Sequence, residues 1–157
     1  MFTGIIEEVG TVRRAEDGEL IIECHVVLAE TELGASIAVN GVDLTVRAMD
    51  SDSMTFDVMP ETFRRSNLSE VPAGSVVNLE RSVTSETRMS GHVVRGVVET
   101  TCELESLTPE GDAIIARFLT EPEFLRVIIV KGPVCIDGIS LTTVARDHES
   151  FSVSLVQ

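Results

Sequence analysis

Apolar residues along the chain come in short β-branched runs, and Gly, Asp and Ser repeatedly interrupt these runs. Alternating or continuous β-branched runs of roughly four to eight residues predict strands, and no long helical periodicity competes with them here. In the first part of the chain the pattern predicts six strands, at residues 5–12, 20–27, 36–39, 43–48, 54–58 and 76–79. Six short strands favour a small closed barrel.

This pattern occurs twice. Residues 37–46 align without gaps on residues 134–143, and the same offset of 97 positions extends through residues 56–59. A second pair of segments, residues 4–7 and 96–99, is offset by 92 positions, so the loops between the anchors differ by five residues. A duplicated structural unit is the simplest explanation, and such a repeat must be recognised before a fold is assigned.

Two dipeptides at matching positions of the repeat mark turns between strands. Asn40-Gly41 and Asp137-Gly138 predict hairpin turns or bulges. Gly tolerates a positive φ, and an Asn or Asp side chain bonds its own backbone, so both residue types suit such a turn.

Short helical turns are predicted between some of the strands. Pro60 begins a segment, residues 60–65, that is typical of a helical turn with Pro in its first turn. Residues 121–126 predict a second helical turn, as the helical counterpart of residues 29–33 in the first copy. Each of these helices is expected to close one end of a barrel.

The second copy is shorter than the first. The first copy continues past Pro60 through a turn into a last strand at residues 76–80, whereas the second stops at Gln157, the partner of Pro60. An open barrel exposes unpaired backbone groups along two edges. Either the sequence omits residues, or a partner chain supplies an edge, or this half is irregular.

These observations predict an all-β fold of two tandem six-stranded Greek-key barrels related by pseudo-two-fold symmetry, with short helical turns. The second barrel is expected to lack its closing strand. The corresponding domains are residues 1–90 and, as an incomplete barrel, residues 91–157.

Charge and hydropathy exclude several classes of function. A formal charge of −14 would repel a phosphate backbone, so we expect no nucleic-acid partner, and the acidic balance otherwise fits a solvated surface. No apolar stretch approaches the roughly 18 residues of a membrane span, and no basic leader precedes an apolar run. We therefore expect no membrane partner and a soluble, cytoplasmic protein.

The three cysteines, Cys24, Cys102 and Cys135, are far apart in sequence and lie in apolar or strand-like surroundings. Their spacing indicates neither a disulfide framework nor a metal site. We expect buried thiols in a reducing compartment and no metal.

Six motifs, in order along the chain, resemble riboflavin synthase of the lumazine-binding superfamily. They are MFTGIIEE at residues 1–8, VNGVDLTV at 39–46, DVMPET at 57–62, VNLER at 77–81, GHVVRG at 91–96 and IDGISLT at 136–142. Together with the duplication, they extend over essentially the whole chain and are far more specific than a single short pattern.

The resemblance implies a reaction. In this family one molecule of 6,7-dimethyl-8-ribityllumazine donates a four-carbon unit to a second, which gives riboflavin and a ribitylamino pyrimidinedione. No cofactor is required, although lumazine, riboflavin or FMN can be the bound ligand. The family's two substrates lie between the N-terminal barrel of one subunit and the C-terminal barrel of the next in a homotrimer, so a homo-oligomer is expected here.

The reaction mainly requires that two bound rings are held in a fixed orientation. It also requires polar groups that bind the ribityl chain and a base that removes the 7-methyl proton. The resemblance implies two sets of substrate-binding residues. The first pocket would use Thr45, Met59, Glu61, Thr62, Val97 and Val98, and the second Thr142 and Val156 together with Gly4, Ile5 and Ile6. Candidate catalytic residues are Ser36, Asp43, His92 and Ser140.

Several of these residues also have ordinary structural explanations. Thr45 and Thr142 fit as β-forming residues on strands, and Met59 fits as a core filler. His92 fits as a structural residue, and Glu61 fits as a capping carboxylate at the start of its helical turn.

Two departures from the family pattern bear on activity. The family usually has Cys at the position of Asp43 and His at the position of Val97. Asp43 can accept hydrogen bonds from ribityl hydroxyls or act as a base, but it cannot replace a thiolate nucleophile. The alternative function is therefore a non-catalytic lumazine- or flavin-binding protein of the same superfamily.

Overall fold

The computed structural model describes residues 1–156, and these residues form two compact units. The first unit comprises Met1–Glu99 together with the short segment Cys135–Ile139, and the second comprises residues 100–134 and the chain from Ser140 onward. The predicted division into residues 1–90 and 91–157 follows the sequence repeat and stays a prediction.

The first unit is a closed six-stranded antiparallel barrel with the strand order β1-β2-β5-β4-β3-β6. Its strands are β1 (Glu8–Glu16), β2 (Glu19–Glu23), β3 (Ser36–Val39), β4 (Val42–Met49), β5 (Ser53–Asp57) and β6 (Val76–Arg81). Buried and exposed residues alternate along β4, so one face of this strand lines the core and the other faces outward.

The core of this barrel consists of apolar side chains that the strands direct inward. They include Val12, Leu20, Ile22, Val46 and Phe56, all of which are fully buried. A separate, smaller cluster of Phe2, Ala38 and Val94, with Cys135 packed against it, forms on the outer face of β3. Burial of these side chains is the main stabilising contribution of the unit.

A five-stranded antiparallel sheet with the strand order β7-β8-β11-β10-β9 lies largely in the second unit, although its residues 135, 136 and 139 are assigned to the first. Its strands are β7 (Glu103–Glu110), β8 (Ala113–Leu119), β9 (Pro133–Ile136), β10 (Ile139–Arg146) and β11 (Ser150–Val156). Within residues 1–156 no sixth strand pairs with β7 and β9, so the prediction that the closing strand is lacking is confirmed.

The strand pairings repeat, as the sequence predicted. β3, β4 and β5 each begin 97 positions before β9, β10 and β11. The register shift between Val46 and Ala48 in the first unit recurs between Thr143 and Ala145 in the second. The all-β fold and its duplicated topology are therefore confirmed.

The described part of the chain has two short α-helices, α1 (Pro60–Arg65) and α2 (Pro122–Leu125), and a 3₁₀ helix at Asn67–Glu70 follows α1. Both predicted Pro-initiated turns are confirmed. Phe63 and Leu68 pack against the barrel core, and Leu125 is buried in the second unit.

The predicted helix at residues 29–33 is wrong, because this segment contains turns and irregular backbone but no helix. The β7–β8 hairpin extends two residue pairs beyond its counterpart, through Pro109–Ile114 and Glu110–Ala113. This adds four residues to the second copy and shifts the offset from 92 to 96 after the hairpin. The true counterpart of α2 is therefore residues 26–29, which form hydrogen-bonded turns.

Several strand bounds differ from the prediction by a few residues. Residues 5–7 are not part of β1, and β2 ends at Glu23 instead of continuing to Val27. In the second case the Glu8 carboxylate accepts hydrogen bonds from the backbone N–H groups of His25, Val26 and Val27, at 2.7, 2.8 and 2.9 Å. In a continued strand these N–H groups would donate to a neighbouring strand, but here they donate to the Glu8 side chain.

None of the helices described for residues 1–156 has the length and apolar character needed to cross a bilayer.

Candidate functional site

The outward face of the β3–β4 hairpin carries three of the predicted site residues. Ser36 on β3 lies directly opposite Thr45 on β4, and Ala38 lies opposite Asp43. Opposite residues of an antiparallel pair project on the same face, so Ser36, Asp43 and Thr45 share one surface. The side chains of Asp43 and Thr45 are exposed there.

The segment at residues 92–98 runs beside this surface. β4 pairs with β5 only from Val46 onward, and before that point the N–H of Asp43 donates a hydrogen bond to the Gly96 carbonyl at 2.9 Å. A Cβ on Gly96 would lie 2.6 Å from the Asp43 Cβ, so only glycine permits this approach, and its φ of +79° also favours glycine. Val97 is thereby held next to Asp43.

Val97 and Val98 differ in burial. Val97 is exposed, whereas Val98 packs against the barrel core. The structure therefore brings Asp43, Val97 and Val98 together beside the half of β4 that does not pair with β5. This arrangement offers an exposed carboxylate, an apolar side chain and backbone groups to a ligand.

The N-terminal segment is fixed to the same region. The N–H of Phe2 donates to the Val94 carbonyl at 2.8 Å, and the N–H of Val94 donates to the Phe2 carbonyl at 3.0 Å. The N–H of His92 donates to the Thr3 carbonyl at 3.0 Å. Gly4 follows with a φ of +77°, and Ile5 exposes much of its side chain.

Sequence reasoning missed one buried residue of this region, Glu80. Its carboxylate accepts hydrogen bonds from the backbone of Thr3 and Gly4. The available signal was its place in the VNLER motif, but a charged residue near the end of a strand ordinarily faces solvent.

Met59, Glu61 and Thr62 lie at the start of α1. Met59 is the N-cap residue with an exposed side chain, so the core-filler explanation is wrong for it. Glu61 does not cap the helix. Hydrogen bonds from Arg65 and Arg64, with Coulombic attraction, lower the pKa of Glu61. The carboxylate therefore stays ionised and is engaged by its own helix.

The second unit places Ser140 and Thr142 on β10 and Val156 on β11. Ser140 and Thr142 lie two residues apart and so share one face of their strand. They occupy the positions that Asp43 and Thr45 hold in the first unit, 97 residues earlier. Val156 is exposed near the end of β11, at the repeat position of Met59.

The two predicted hairpin turns meet within the first unit. Asn40, Gly41, Asp137 and Gly138 all have positive φ, between 46° and 81°. A Cβ on Gly41 would lie 2.9 Å from the Gly138 N, so the two glycines allow the turns to touch. The dipeptides are confirmed as hairpin turns.

Amide side chains hold this contact together. The Asn78 Nδ2 group donates to the Asp137 carbonyl at 2.9 Å, and the Asn67 Nδ2 group donates to the Asp137 Oδ1 atom at 2.9 Å. Although Asp137 keeps an exposed surface, desolvation by the surrounding protein raises its pKa, and the bond from Asn67 opposes that rise.

The cysteines form no disulfide. Cys24 is buried, whereas Cys102 and Cys135 are only partly buried, so the expectation of three buried thiols is wrong for two of them. Desolvation is the main cause that raises the pKa of Cys24 to about 12 and that of Cys135 to about 11. Both thiols are therefore protonated at neutral pH and are poor nucleophiles.

A separate open cleft of about 520 Å³ lies between the β1–β2 turn and the 3₁₀ helix. Asp17, Phe63, Leu68 and Glu70 are among its lining residues, and none of the predicted site residues lines it. No cluster of three or more His, Cys, Asp and Glu side chains suited to a metal ion occurs among the described residues.

Comparison with known proteins assigns the chain to a family. Residues 3–82 and 95–157 match the family model described as lumazine binding domain. The chain is 45% identical over 160 residues to the riboflavin synthase of Actinobacillus pleuropneumoniae, covering 99% of this chain and 74% of that protein. The chain belongs to the riboflavin synthase family. The resemblance predicted from the motifs is confirmed.

Other members of the riboflavin synthase family are similarly related. Identity is 37% over 160 residues to the enzyme of Bacillus subtilis, covering 99% of this chain and 74% of that protein. It is 38% over 180 residues to the enzyme of Saccharomyces cerevisiae, covering 100% of this chain and 73% of that protein.

Solved structures share the fold. The crystal structure of LumP complexed with riboflavin has a TM-score of 0.89 and 20% identity, covering 99% of this chain and 86% of that chain. LumP complexed with 6,7-dimethyl-8-(1'-D-ribityl) lumazine has a TM-score of 0.84 and 20% identity, covering 99% and 87%.

Proposed function

We propose that this chain acts as a riboflavin synthase. It would transfer a four-carbon unit between two molecules of 6,7-dimethyl-8-ribityllumazine, giving riboflavin and a ribitylamino pyrimidinedione. The observation that carries the proposal is the match to riboflavin synthases at up to 45% identity over 99% of the chain. Both halves contribute, because the lumazine-binding family model matches residues 3–82 and residues 95–157 separately.

The first unit supplies groups suited to one lumazine. Val97 and Val98 would offer apolar contact to the flat ring, and the half of β4 that does not pair with β5 would offer backbone groups to its amide edges. Ser36 and Thr45 would bond the ribityl hydroxyls. Asp43 is the candidate base for the 7-methyl proton, because it is an exposed carboxylate beside Val97.

The second unit offers the equivalent strand for the other lumazine. Ser140 and Thr142 occupy the repeat positions of Asp43 and Thr45, so hydroxyl groups replace the carboxylate. Because of this difference the two sites have distinct roles, and Asp43 is the proton acceptor in the site of the first unit. Gly4, Ile5, Ile6 and Val156 are further residues that we expect to bind lumazine, and His92 remains a candidate catalytic residue.

Assembly belongs to the same proposal. We expect a homo-oligomer in which different copies complete the sites, and a homotrimer by analogy with the family. Sedimentation velocity of the purified protein tests this expectation, because a single monomeric species would contradict it. The expected compartment is the cytoplasm.

The experiment mixes the purified protein with 6,7-dimethyl-8-ribityllumazine and follows absorbance and fluorescence over time. Riboflavin that appears faster than in lumazine alone supports the proposal. A saturable spectral shift without riboflavin would contradict catalysis and favour the lumazine- or flavin-binding alternative. No spectral change at all would contradict both functions.

A further inference from the structure

Glu80 on β6 is a charged residue in a buried position. Only 4% of its surface is exposed. One carboxylate oxygen accepts hydrogen bonds from the Thr3 N–H and from the Thr3 hydroxyl, each at 2.7 Å. The other oxygen accepts from the Gly4 N–H at 3.0 Å. A buried carboxylate is costly unless such donors compensate it, so this arrangement ties the N-terminal segment to the barrel wall.

These bonds fix the backbone that leads into Ile5 and Ile6. The Thr3 Oγ1 atom, which donates to Glu80, also accepts a hydrogen bond from the Ile5 N–H at 3.3 Å. Gly4, between them, has the positive φ of +77° that turns the chain. The orientation of residues 4–6 therefore depends on a chain of contacts that begins at the Glu80 carboxylate.

The position of Glu80 on the sheet connects it with Asp43. Glu80 lies opposite Ala38, and Ala38 lies opposite Asp43, so the three form one row across β6, β3 and β4. Phe2 packs on Ala38 in the middle of this row. A Cβ on Gly96 would meet the Phe2 ring at 2.8 Å, so Phe2 also touches the backbone that holds Val97 beside Asp43.

A second set of contacts extends the effect to residues 92–96. The Thr3 carbonyl accepts the His92 N–H, and Phe2 exchanges two backbone hydrogen bonds with Val94. Glu80 fixes Thr3 and Gly4, and the packing of Phe2 on Ala38 fixes the residue before them. The backbone of residues 2–4 therefore determines the position of the 92–96 segment through its hydrogen bonds to Val94 and His92.

We propose that Glu80 is a positioning residue for lumazine binding, acting through Thr3 and Gly4 on Ile5, Ile6 and the 92–97 segment. This inference rests on the proposed function. Glu80 itself is enclosed by protein and does not touch the ligand. Its role is to hold the N-terminal backbone in the one conformation that a rigid ring requires.

The first test is Glu80→Gln, which keeps the size of the side chain but replaces one accepting oxygen by an NH₂ group. That group cannot accept from Thr3 or Gly4. We expect the Kd for 6,7-dimethyl-8-ribityllumazine, measured by fluorescence titration, to rise about tenfold. KM should rise more than kcat falls. Glu86→Gln, the same change at an exposed residue, should leave Kd, KM and kcat unchanged.

A second pair of variants keeps the test valid if Glu80→Gln folds poorly. Thr3→Val removes the hydroxyl that links Glu80 to Ile5, and Thr3→Ser keeps it. We expect weaker binding for Thr3→Val and nearly wild-type binding for Thr3→Ser. Equal binding by the two Thr3 variants, or unchanged binding by a folded Glu80→Gln, would overturn the proposal.

Hydrogen exchange separates a failure of this inference from a failure of the proposed function, because it needs no ligand. In Glu80→Gln, amides of residues 3–6 and 92–96 should exchange faster while those of β2 and β5 keep their rates. Uniformly faster exchange would mean a merely structural role and would contradict positioning. If the wild-type protein binds no lumazine, the proposed function fails, while the exchange result still decides whether Glu80 orders these segments.

Discussion

Three carboxylates of the first unit lie in three different environments. Glu80 is buried and satisfied by backbone donors, Glu61 is paired with two arginines of its own helix, and Asp43 is exposed beside a glycine backbone. Proton transfer needs a group that can reach both solvent and ligand. Of the three, only Asp43 combines exposure with contact to the 92–98 segment.

At the positions of Asp43 and Val97 the family resemblance implies Cys and His, so introducing those residues tests whether this difference limits turnover. We expect the double change Asp43→Cys and Val97→His to raise kcat by about tenfold or more, because the thiol supplies a nucleophile that a carboxylate cannot replace and the imidazole supplies a general acid–base group. The measured quantity is the rate of riboflavin formation at a saturating concentration of 6,7-dimethyl-8-ribityllumazine. Asp112→Cys, in an exposed hairpin turn, serves as the control for an added thiol. An unchanged rate in the double variant would remove both residues as the limiting difference.

Asp137 gives a pH-dependent prediction at the same scale. Desolvation raises its pKa above the ordinary value of 3.8, so its contribution to stability is fully present below that pH and is lost as the pH rises through the raised value. At pH 7 the ionised group therefore destabilises the folded state. Asp137→Asn keeps an acceptor for Asn67 and tolerates a positive φ, so we expect Tm to rise by about 1–2 °C.

The gain from Asp137→Asn should shrink as the pH falls toward 3.8, because the wild-type carboxyl is then protonated. Thermal unfolding, followed by circular dichroism at a series of pH values from about 3.5 to about 7, measures this trend. Asp17→Asn is the matched control, since Asp17 also precedes a turn glycine with positive φ but its side chain is 89% exposed. A gain that is independent of pH, or equal in the control, would contradict the role of desolvation.

At the scale of elements, the hairpin turns were predictable because their residue types state the backbone conformation directly. Asn-Gly and Asp-Gly require little context, and both turns have the expected positive φ. β3 was predicted with the bounds that the structure has, since its apolar run ends at such a turn. The repeat supplied the rest of the topology.

Errors arose where a side chain from elsewhere takes over backbone donors. Glu8 ends β2 by binding the N–H groups of residues 25–27, and Glu80 binds those of Thr3 and Gly4 ahead of β1. Both carboxylates are distant in sequence from the groups they bind, so periodicity along the chain contains no sign of them. The site residue Glu80 was missed for the same reason.

Contact between the two hairpin turns gives a prediction about a single Cβ. Gly41→Ala places a methyl group 2.9 Å from the Gly138 N, in addition to the strain of a positive φ. Gly34→Ala has the same kind of strain, with a φ of +86°, but nothing within 4 Å of its Cβ. We expect Gly34→Ala to lose about 1 kcal/mol of unfolding free energy and Gly41→Ala about 1–3 kcal/mol more.

Urea denaturation of both glycine variants measures these losses. Gly138→Ala provides a reciprocal check, because its Cβ would lie 2.9 Å from the Gly41 N. Equal losses for Gly41→Ala and Gly34→Ala would show that the turns relax apart at little cost. That result would contradict a tight contact at this position.

For the whole molecule, the two copies of the repeat differ in how completely their strands are covered. β1 pairs with β2 on one edge and β6 on the other, whereas its counterpart β7 pairs, within residues 1–156, only with β8. Val12 on β1 is 1% exposed, and Leu104 at the equivalent position of β7 is 48% exposed. The same sequence pattern therefore buries far less apolar surface in the second unit, and β7 should be held less firmly.

Hydrogen exchange followed by mass spectrometry makes this difference measurable. We expect amides of β7 to exchange at least about tenfold faster than those of β1, because alternate N–H groups of an edge strand have no partner and few buried side chains resist local opening. The comparison is internal, since both strands come from one sample. Equal protection at low protein concentration would contradict it, whereas protection of β7 that grows with concentration would identify association of chains through this edge.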